Sequence, residues 1–228
     1  MAADAKLSFD KFREEIVNDY RIACISREAS LLGRKEVLTG KAKFGIFGDG
    51  KEIAQIAMAK FFQDGDFRSG YYRDQTFMFA TGLATVEQFF AQLYADPDIN
   101  NDPNNAGRQM VCHFCTPLTD ENGEWRSLAK TRNIASDMAP TAAQMPRSLG
   151  LALASKLLRH VDALRQHVGL SDNGREVCFT TIGDAATSEG HFWETVNAAG
   201  VLQVPLAIFV WDDGYGISVP KKFQTTKG

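Results

Sequence analysis

The sequence predicts an α/β fold in which helices flank a parallel sheet. Residues 176–182 and 205–211 have the apolar composition of buried strands, and a helical stretch separates them. Consecutive strands joined by a helix form a βαβ unit, whose strands run parallel. The chain has 228 residues, of which 44% are hydrophobic, so it is long and apolar enough to bury a sizeable core.

Residues 1–40 are expected to form a helical segment that precedes an α/β domain at 41–228. Apolar side chains recur in the first segment every three or four positions, which is helical spacing, at Phe9, Phe12, Ile16 and Tyr20. Ser8 belongs to a residue type that caps helix N-termini. The pattern therefore predicts one long helix over 8–38, with Gly33 as the point at which it would break.

The middle of the chain predicts short helices, one short strand and two long loops. Helical spacing predicts a helix over 51–62 and two helical pieces over 75–94, with a short strand or loop at 67–72 between them. Asn, Asp, Pro and Gly dominate 95–109, and 116–133 is also polar, so both are predicted to be loops. Long loops in a compact domain usually serve a function or face a partner.

The last third of the chain completes the predicted sheet only in part. A long helix over 141–168 is expected to bury one apolar stripe, formed by Leu149, Leu153, Leu157, Val161, Leu164 and Val168. The helix of the βαβ unit is expected to start at Ala185 and to end near Gly200. The sequence offers three or four strands, whereas a sheet typically has about five or six. We therefore expect the domain to be truncated at its C-terminal end.

Composition and charge argue against several classes of protein. The formal net charge of -3, from 25 basic and 28 acidic residues, does not favour a nucleic-acid or membrane-surface partner. No apolar run approaches the length of a membrane span, and the N-terminal stretch lacks the features of a secretory signal. Four cysteines do not suggest a disulfide framework, so we expect a reducing, cytoplasmic location.

Acidic residues follow both strands of the βαβ unit, as Gly183-Asp184 and Asp212-Asp213. The carboxyl ends of parallel strands share one edge of the sheet, where open α/β sheets bind ligands. A helix N-terminus at this edge would suit a phosphate, and Mg²⁺ is the usual cation between carboxylates and a phosphate. Gly-Asp and Asp-Gly also occur in ordinary turns. The spacing alone leaves both readings open.

Two further groups are candidates on chemistry alone. Arg73, which follows two tyrosines and a glycine, would suit a phosphate clamp or an ordinary surface position. Cys112 and Cys115 have CxxC spacing, but a structural zinc site needs four ligands, and no second such pair occurs in the sequence. His113 lies between them in a loop and is a candidate catalytic residue.

Five separated segments occur in the order in which one family has them. Residues 183–190 followed by 211–218 resemble the thiamine diphosphate signature, Gly-Asp-Gly and then Asn-Asn. The other matching stretches are Gly50-Lys51-Glu52, Tyr71-Tyr72-Arg73-Asp74, Gly107-Arg108-Gln109-Met110 with His113, and Ala143-Gln144-Met145-Pro146. Over about residues 26–218, the chain is similar to the alpha subunit of the thiamine diphosphate-dependent component of 2-oxoacid dehydrogenase complexes, with the branched-chain type closest.

The resemblance implies the diphosphate-binding domain of a thiamine diphosphate-binding fold. It implies that the carboxylates of Asp184 and Asp213 and the backbone carbonyl of Tyr215 hold Mg²⁺, which ties the cofactor diphosphate to the protein. Tyr72 and Arg73 would contact the diphosphate from the other side.

Further roles follow from the same resemblance. Gly183, Ala185 and Ala186 would line the phosphates and the linker of the cofactor. Ala139, Pro140 and Thr141 would face the aminopyrimidine ring, and His113 would contact the substrate or the reaction intermediate.

Three positions depart from the family pattern. Ala185 replaces the third glycine of the signature, Asp212-Asp213 replaces Asn-Asn, and Trp211 stands where branched-chain relatives often carry a diphosphate-binding arginine. Two of these changes make the diphosphate end more negative, and repulsion between charges in a partly buried site is substantial. One of three consequences would follow from this extra negative charge. Mg²⁺ would bind more tightly, another cation such as Lys130 or Arg132 would compensate, or the affinity for the cofactor would be low.

The resemblance implies oxidative decarboxylation of a 2-oxo acid, with transfer of the acyl group to a lipoyl-bearing acyltransferase. A beta subunit or fused beta half would supply the glutamate that protonates the aminopyrimidine, so this chain alone is expected to be inactive. The Gly-Arg-Gln-Met stretch favours the branched-chain type, so the resemblance implies a preference for branched-chain substrates. The alternatives are a pyruvate or acetoin dehydrogenase, and a non-catalytic alpha-like binding module. A phosphate-binding regulator would not explain the five ordered segments.

Overall fold

Four strands form one parallel sheet at the centre of the fold. They are β1 (Phe67–Ser69), β2 (Asn133–Ile134), β3 (Cys178–Gly183) and β4 (Leu206–Trp211), in the order β2-β1-β3-β4. A small antiparallel pair follows, β5 (Tyr215–Gly216) and β6 (Val219–Pro220). The computed structural model describes residues 8–165 and 169–224. The predicted parallel sheet is confirmed, and β2 arises at the end of a stretch that the sequence predicted to be a loop.

The helices flank this sheet as the sequence predicts. They are α1 (Phe9–Leu38), α2 (Glu52–Ala59), α3 (Gln75–Ala80), α4 (Val86–Leu93), α5 (Gln144–His160) and α6 (Gly190–Leu202). α4 starts with a capping box in which Thr85 and Gln88 exchange hydrogen bonds. In the described ranges, no helix is long and apolar enough to cross a membrane.

α1 is one continuous helix that does not break at Gly33. Ser8 caps it by accepting a hydrogen bond from the backbone N–H of Lys11 at 3.3 Å. Gly33 is needed for packing, because a Cβ at this position would lie 2.5 Å from the Phe47 ring. The apolar residues at the start of α1 are exposed, and its later part joins the core through Ala29. The division into segments 1–40 and 41–228 stays a prediction.

α5 buries a different face from the one predicted. Its buried residues are Gln144, Met145, Ser148, Ala152 and Ser155, whereas Leu157 is 43% exposed and Val161 is 39% exposed. The helix lies against β1 and β3, and small side chains let it approach the sheet. It ends at His160, because Val161 takes an extended conformation. Leu164 follows in a short 3₁₀ turn, and Val168 lies outside the described residues.

Alternating residues of β3 face two separate parts of the core. Phe179 packs edge-on against Phe62 at 5.4 Å between ring centroids, on the side of α1 to α4. Ile182 faces the other side and packs with Met145 and Phe192, from α5 and α6. This alternation is that of a strand buried on both faces, and it holds the carboxyl ends of the strands at one edge.

Candidate functional site

A cavity of about 780 Å³ lies where the four parallel strands end. The segments that follow these strands all contribute to its wall, as expected for the ligand crevice of an open α/β sheet. Ten residues predicted to bind the cofactor or metal line it together: Tyr72, Arg73, Ala139, Pro140, Thr141, Gly183, Asp184, Ala185, Ala186 and Tyr215. Asp213 lines an adjacent cavity of about 470 Å³, which shares Ile46 and Arg73 with the first.

Asp184 presents a buried carboxylate, one of whose oxygens has no hydrogen-bond partner in the described structure. The residue follows β3 and is 6% exposed, and its Oδ2 atom has no hydrogen-bond partner among the described residues. Burial raises the pKa of Asp184, and the neighbouring carboxylates of Asp213 and Asp212 raise it further. A buried carboxylate with an unused oxygen is costly unless a cation or donor satisfies it. The position therefore suits a bound metal ion.

Asp213 is held by two cations. Its Oδ2 atom lies 3.2 Å from Lys51 Nζ and 3.5 Å from an Arg73 guanidinium nitrogen. Its Oδ1 atom accepts a hydrogen bond from the backbone N–H of Tyr215 at 3.3 Å. Burial alone would raise the pKa of Asp213, but Lys51 and Arg73 outweigh this and lower it. Asp213 is therefore charged and fixed next to the cavity edge.

Asp212 has a cation of its own. Lys221 Nζ lies 2.6 Å from Asp212 Oδ2, and the backbone N–H of Gly214 bonds to Oδ1 at 2.9 Å. The hydrogen bond from Lys221 is the main cause of the lowered pKa of Asp212. Lys130 or Arg132 was predicted to compensate this charge, but Arg132 lies 3.9 Å from Asp64, and neither residue pairs with Asp212 or Asp213 in the described structure. Lys51, Arg73 and Lys221 take that place instead.

The backbone after β3 corrects the predicted start of the helix. Ala185–Ser188 form a 3₁₀ turn, and α6 begins only at Gly190 after the extended residue Glu189. The cavity therefore meets a tight turn rather than the N-terminus of an α-helix. The turn is packed closely, because a Cβ on Gly216 would lie 2.5 Å from the Ala185 Cβ. Ala185 and Ala186 still line the cavity, as predicted.

Arg73 is positioned by contacts on three sides. Its guanidinium lies 5.3 Å from the centroid of the Tyr72 ring, a cation–π contact. Its backbone carbonyl accepts a hydrogen bond from the Gln55 side chain at 2.7 Å. Gly48 allows close approach, because a Cβ there would lie only 2.3 Å from the Arg73 carbonyl oxygen.

The hydroxyl of Tyr71 is buried without a partner in the described ranges, and burial raises the pKa of this tyrosine.

A network of buried charged side chains connects the sheet to segments of the cavity wall. Arg68, which is fully buried, lies 2.6 Å from Asp74 and 3.0 Å from Asp137. Trp211 donates its indole N–H to the other oxygen of Asp74 at 2.7 Å. Trp211 is therefore a core residue that does not line the cavity. The network joins β1 and β4 to the segments that carry Arg73 and Ala139.

His113 is buried, at 4% exposure, and does not line either cavity next to Asp184 and Asp213. Its backbone carbonyl accepts a hydrogen bond from Gln92 at 2.9 Å. The neighbouring Phe114 donates its N–H to Asp137, just before the cavity-lining segment 138–142. The predicted contact between His113 and substrate stays a prediction.

The thiols of the two cysteines beside His113 contact other parts of the chain. Cys112 donates toward Gln75 at 3.7 Å, and the Cys115 thiol donates to the Asn104 carbonyl at 2.9 Å. In the part of the chain that the structure describes, no group of three or more His, Cys, Asp or Glu residues is arranged to hold a metal ion. The ligands predicted for Mg²⁺ are not a group of this kind, because they are two carboxylates and one backbone carbonyl.

The predicted metal set fits the chemistry of Mg²⁺. This ion usually takes one or two protein carboxylates and completes its shell with phosphate and water oxygens. Asp184 and Asp213 follow neighbouring strands whose last residues, Gly183 and Trp211, are paired in register. The unpartnered oxygen of Asp184 is the observation that most directly suits a cation here. Lys51 and Lys221 were given no role from the sequence, because local spacing does not show that their side chains meet Asp213 and Asp212.

The chain is similar to known proteins over most of its length. The model of the dehydrogenase E1 component family matches residues 20–227. The alpha subunit of 2-oxoisovalerate dehydrogenase from Bacillus subtilis (strain 168) is 29% identical over 212 residues, covering 91% of this chain and 54% of the relative.

The mitochondrial alpha subunits of the same enzyme are also similar. The protein from Caenorhabditis elegans is 29% identical over 185 residues, covering 81% of this chain and 36% of the relative. The mouse protein is 24% identical over 212 residues, covering 93% of this chain and 41% of the relative. The chain thus spans about half, or less, of the length of these relatives. Since the family match covers most of its length, the chain belongs to the dehydrogenase E1 component family.

Proposed function

We propose that this chain binds the diphosphate end of thiamine diphosphate, with Mg²⁺, as the alpha part of a 2-oxoacid dehydrogenase. The observation that carries the proposal is the unpartnered buried oxygen of Asp184, which lies at the strand edge beside Asp213. Asp184, Asp213 and the Tyr215 carbonyl would hold the metal, and Tyr72 and Arg73 the diphosphate. When bound, thiamine diphosphate supplies the nucleophilic carbon and the electron sink for decarboxylation.

The chain's own residues would orient the cofactor and exclude water from it. Arg73 is fixed by Tyr72 and by the Gln55 hydrogen bond, so its charge is directed at one end of the cavity. Gly183 lies at the wall, where a Cβ would already lie 3.3 Å from the Tyr71 hydroxyl. Ala139, Pro140 and Thr141 line the same cavity as Asp184 and add mostly small or apolar surface to its wall. Fixed charges act more strongly in a site from which a bound ligand excludes water than the same charges do in bulk water.

The substrate, partners and compartment are proposed from the relatives and the resemblance. The relatives are named 2-oxoisovalerate dehydrogenases, so we propose branched-chain 2-oxo acids as substrates. A beta subunit or fused beta half and a lipoyl-bearing acyltransferase would complete the reaction. His113 is proposed to contact the substrate or the reaction intermediate on the resemblance. All four cysteines are free, in keeping with a reducing cytoplasm.

A binding experiment on the native assembly that contains this chain tests the proposal. Calorimetric titration with thiamine diphosphate and Mg²⁺ should show saturable binding that the Asp184→Ala variant loses. Asp162→Ala is the matched control, because this exposed aspartate pairs with Arg165 at 3.0 Å and lines neither cavity in the described ranges. Equal affinity in wild type and Asp184→Ala would contradict the proposed metal site.

Turnover separates the substrate alternatives. The same assembly should decarboxylate 3-methyl-2-oxobutanoate with a higher kcat/KM than pyruvate. A higher value for pyruvate would assign the chain to the pyruvate type. Absence of any saturable cofactor binding would favour the non-catalytic, alpha-like module instead.

A further inference from the structure

Lys51 lies at the cavity edge although it is distant in sequence from the other site residues. It directly precedes α2 and follows Gly50, whose φ of +95° turns the chain at this point. Its side chain is only 11% exposed, and its ammonium group lies 3.2 Å from Asp213 Oδ2. Lys51 and Arg73 both line the 470 Å³ cavity that contains Asp213.

Helix capping does not explain this placement. Lys51 occupies the N-cap position of α2 but makes no capping hydrogen bond with its side chain. The Asp213 carboxylate is the polar partner that the described structure gives its ammonium group. The lysine side chain is therefore directed at the site rather than at its own helix.

The charges at this edge explain why such a cation is needed. The family signature ends in two asparagines, whereas this chain has Asp212 and Asp213, which adds negative charge where an anionic diphosphate would bind. Lys221 is already paired with Asp212 at 2.6 Å. Without Lys51, Asp213 would keep only Arg73, and that arginine is the one expected to contact the diphosphate.

We propose that Lys51 is a positioning residue that sets cofactor affinity, because it shares the charge of Asp213 with Arg73 and so weakens the hold of Asp213 on that arginine. The inference rests on the proposed function. It assigns to Lys51 a role that only a chain with an aspartate at this point of the signature requires. The role is electrostatic, so it should depend on the charge of residue 213.

A double-mutant cycle on the native assembly tests this dependence. Lys51→Met keeps the apolar stem of the side chain and removes its charge, and Asp213→Asn restores the amide of the family signature. Calorimetric titration with thiamine diphosphate at saturating Mg²⁺ should give a dissociation constant at least tenfold higher for Lys51→Met than for wild type. In the Asp213→Asn background, the same lysine substitution should raise the dissociation constant less than twofold.

Controls distinguish charge compensation from a structural role. Lys60→Met removes a lysine that pairs with Asp19 at 2.9 Å and lines neither cavity, so it should leave the dissociation constant unchanged. Lys51→Arg should retain most of the affinity. Thermal unfolding of the ligand-free variants reports whether Lys51 acts through stability. Should Lys51→Met fail to fold, the cycle is completed with Lys51→Gln.

The outcomes separate this inference from the proposed function. Saturable binding by wild type, with equal effects of the lysine substitution in both backgrounds, overturns the role of Lys51 and leaves the proposed function standing. A lowered melting temperature with an unchanged dissociation constant does the same. Absence of cofactor binding by wild type overturns the proposed function, and the inference with it.

Discussion

Asp184 is a residue whose burial is unfavourable in the ligand-free chain. Its buried oxygen is unpartnered, and burial together with the two neighbouring aspartates raises its pKa, so the charged form is disfavoured in the ligand-free chain. An asparagine at this position would carry no negative charge, so the carboxylates of Asp212 and Asp213 would not repel it. Asp184 is thus a residue whose cost in the free chain only a bound cation would offset.

We predict that Asp184→Asn raises the free energy of unfolding of the ligand-free protein by on the order of 1 kcal/mol, the scale of an unsatisfied buried polar group. The same variant should bind thiamine diphosphate and Mg²⁺ much more weakly. Urea unfolding at neutral pH measures the first effect and calorimetry the second. Asp162→Asn serves as the exposed control, and a fall in stability for Asp184→Asn would contradict this account of the site.

Burial also determines the reactivity of the cysteines. Burial raises the pKa of Cys178 to about 12, and Cys112 is fully buried, whereas Cys24 is exposed. Because the thiolate is the reactive form, we expect iodoacetamide near pH 8 to modify Cys24 first and the two buried thiols only after unfolding. Peptide mass mapping after short pulses measures the order. Modification of Cys178 as fast as Cys24 in the folded chain would contradict it.

At the scale of the elements, α1 is fixed to α4 by a polar contact. Glu36 near the end of α1 accepts a hydrogen bond from the Tyr94 hydroxyl at 2.7 Å and pairs with Lys41 at 3.3 Å. The Tyr94 hydrogen bond is the main cause of the lowered pKa of Glu36. A carboxylate with a lowered folded-state pKa stabilises the fold above its unfolded value, about 4.3, and this contribution is lost as the pH falls through the folded value.

We therefore predict that Tyr94→Phe lowers the free energy of unfolding at pH 7, and that its difference from wild type shrinks below pH 4. Urea unfolding at several pH values measures this dependence. Tyr20→Phe, at an exposed tyrosine in the first half of α1, is the matched control. A difference that is the same at pH 7 and pH 3 would show that the hydroxyl acts without Glu36.

The elements also show where sequence patterns stop being informative. The apolar runs of β3 and β4 predicted their burial, because both faces of a parallel strand meet apolar neighbours. The spacing of the leucines in α5 predicted the wrong buried face. A helix that lies close to a sheet buries small residues such as Ser148 and Ala152 instead. The start of α6 was misplaced because the chain first makes a 3₁₀ turn at Ala185. Such turns depend on tertiary contacts that local spacing does not encode.

For the whole molecule, the resemblance predicted residues that lie together at one edge of the sheet, but not how their charges are paired. Ten of the predicted residues line one cavity, because the carboxyl ends of parallel strands converge at one edge. Lys51 belongs to a matching stretch but was given no role, because its partner Asp213 is 162 positions away in the chain. Trp211 likewise acquires its role only through Asp74. Long-range pairs of this kind are fixed by the fold as a whole.

The composition of the large cavity bears on what the chain can do by itself. In the part of the chain that the structure describes, Asp184 is the one acidic residue in its wall, and it is proposed to hold the metal. Proton transfer at the aminopyrimidine end would need a second carboxylic acid, and no glutamate lines the cavity in the described ranges. The missing acid is expected from the beta part of the enzyme.

We predict that the 228-residue chain does not decarboxylate 3-methyl-2-oxobutanoate by itself, and that adding the beta part restores turnover. Release of labelled CO₂ from the 1-position of the substrate measures this in both preparations. Replacement of the beta part's proton-donating glutamate by glutamine should remove the restored activity without abolishing cofactor binding, because the diphosphate contacts lie on this chain. Turnover by the purified chain alone would mean that one of its own groups moves the proton, with His113 the first residue to substitute.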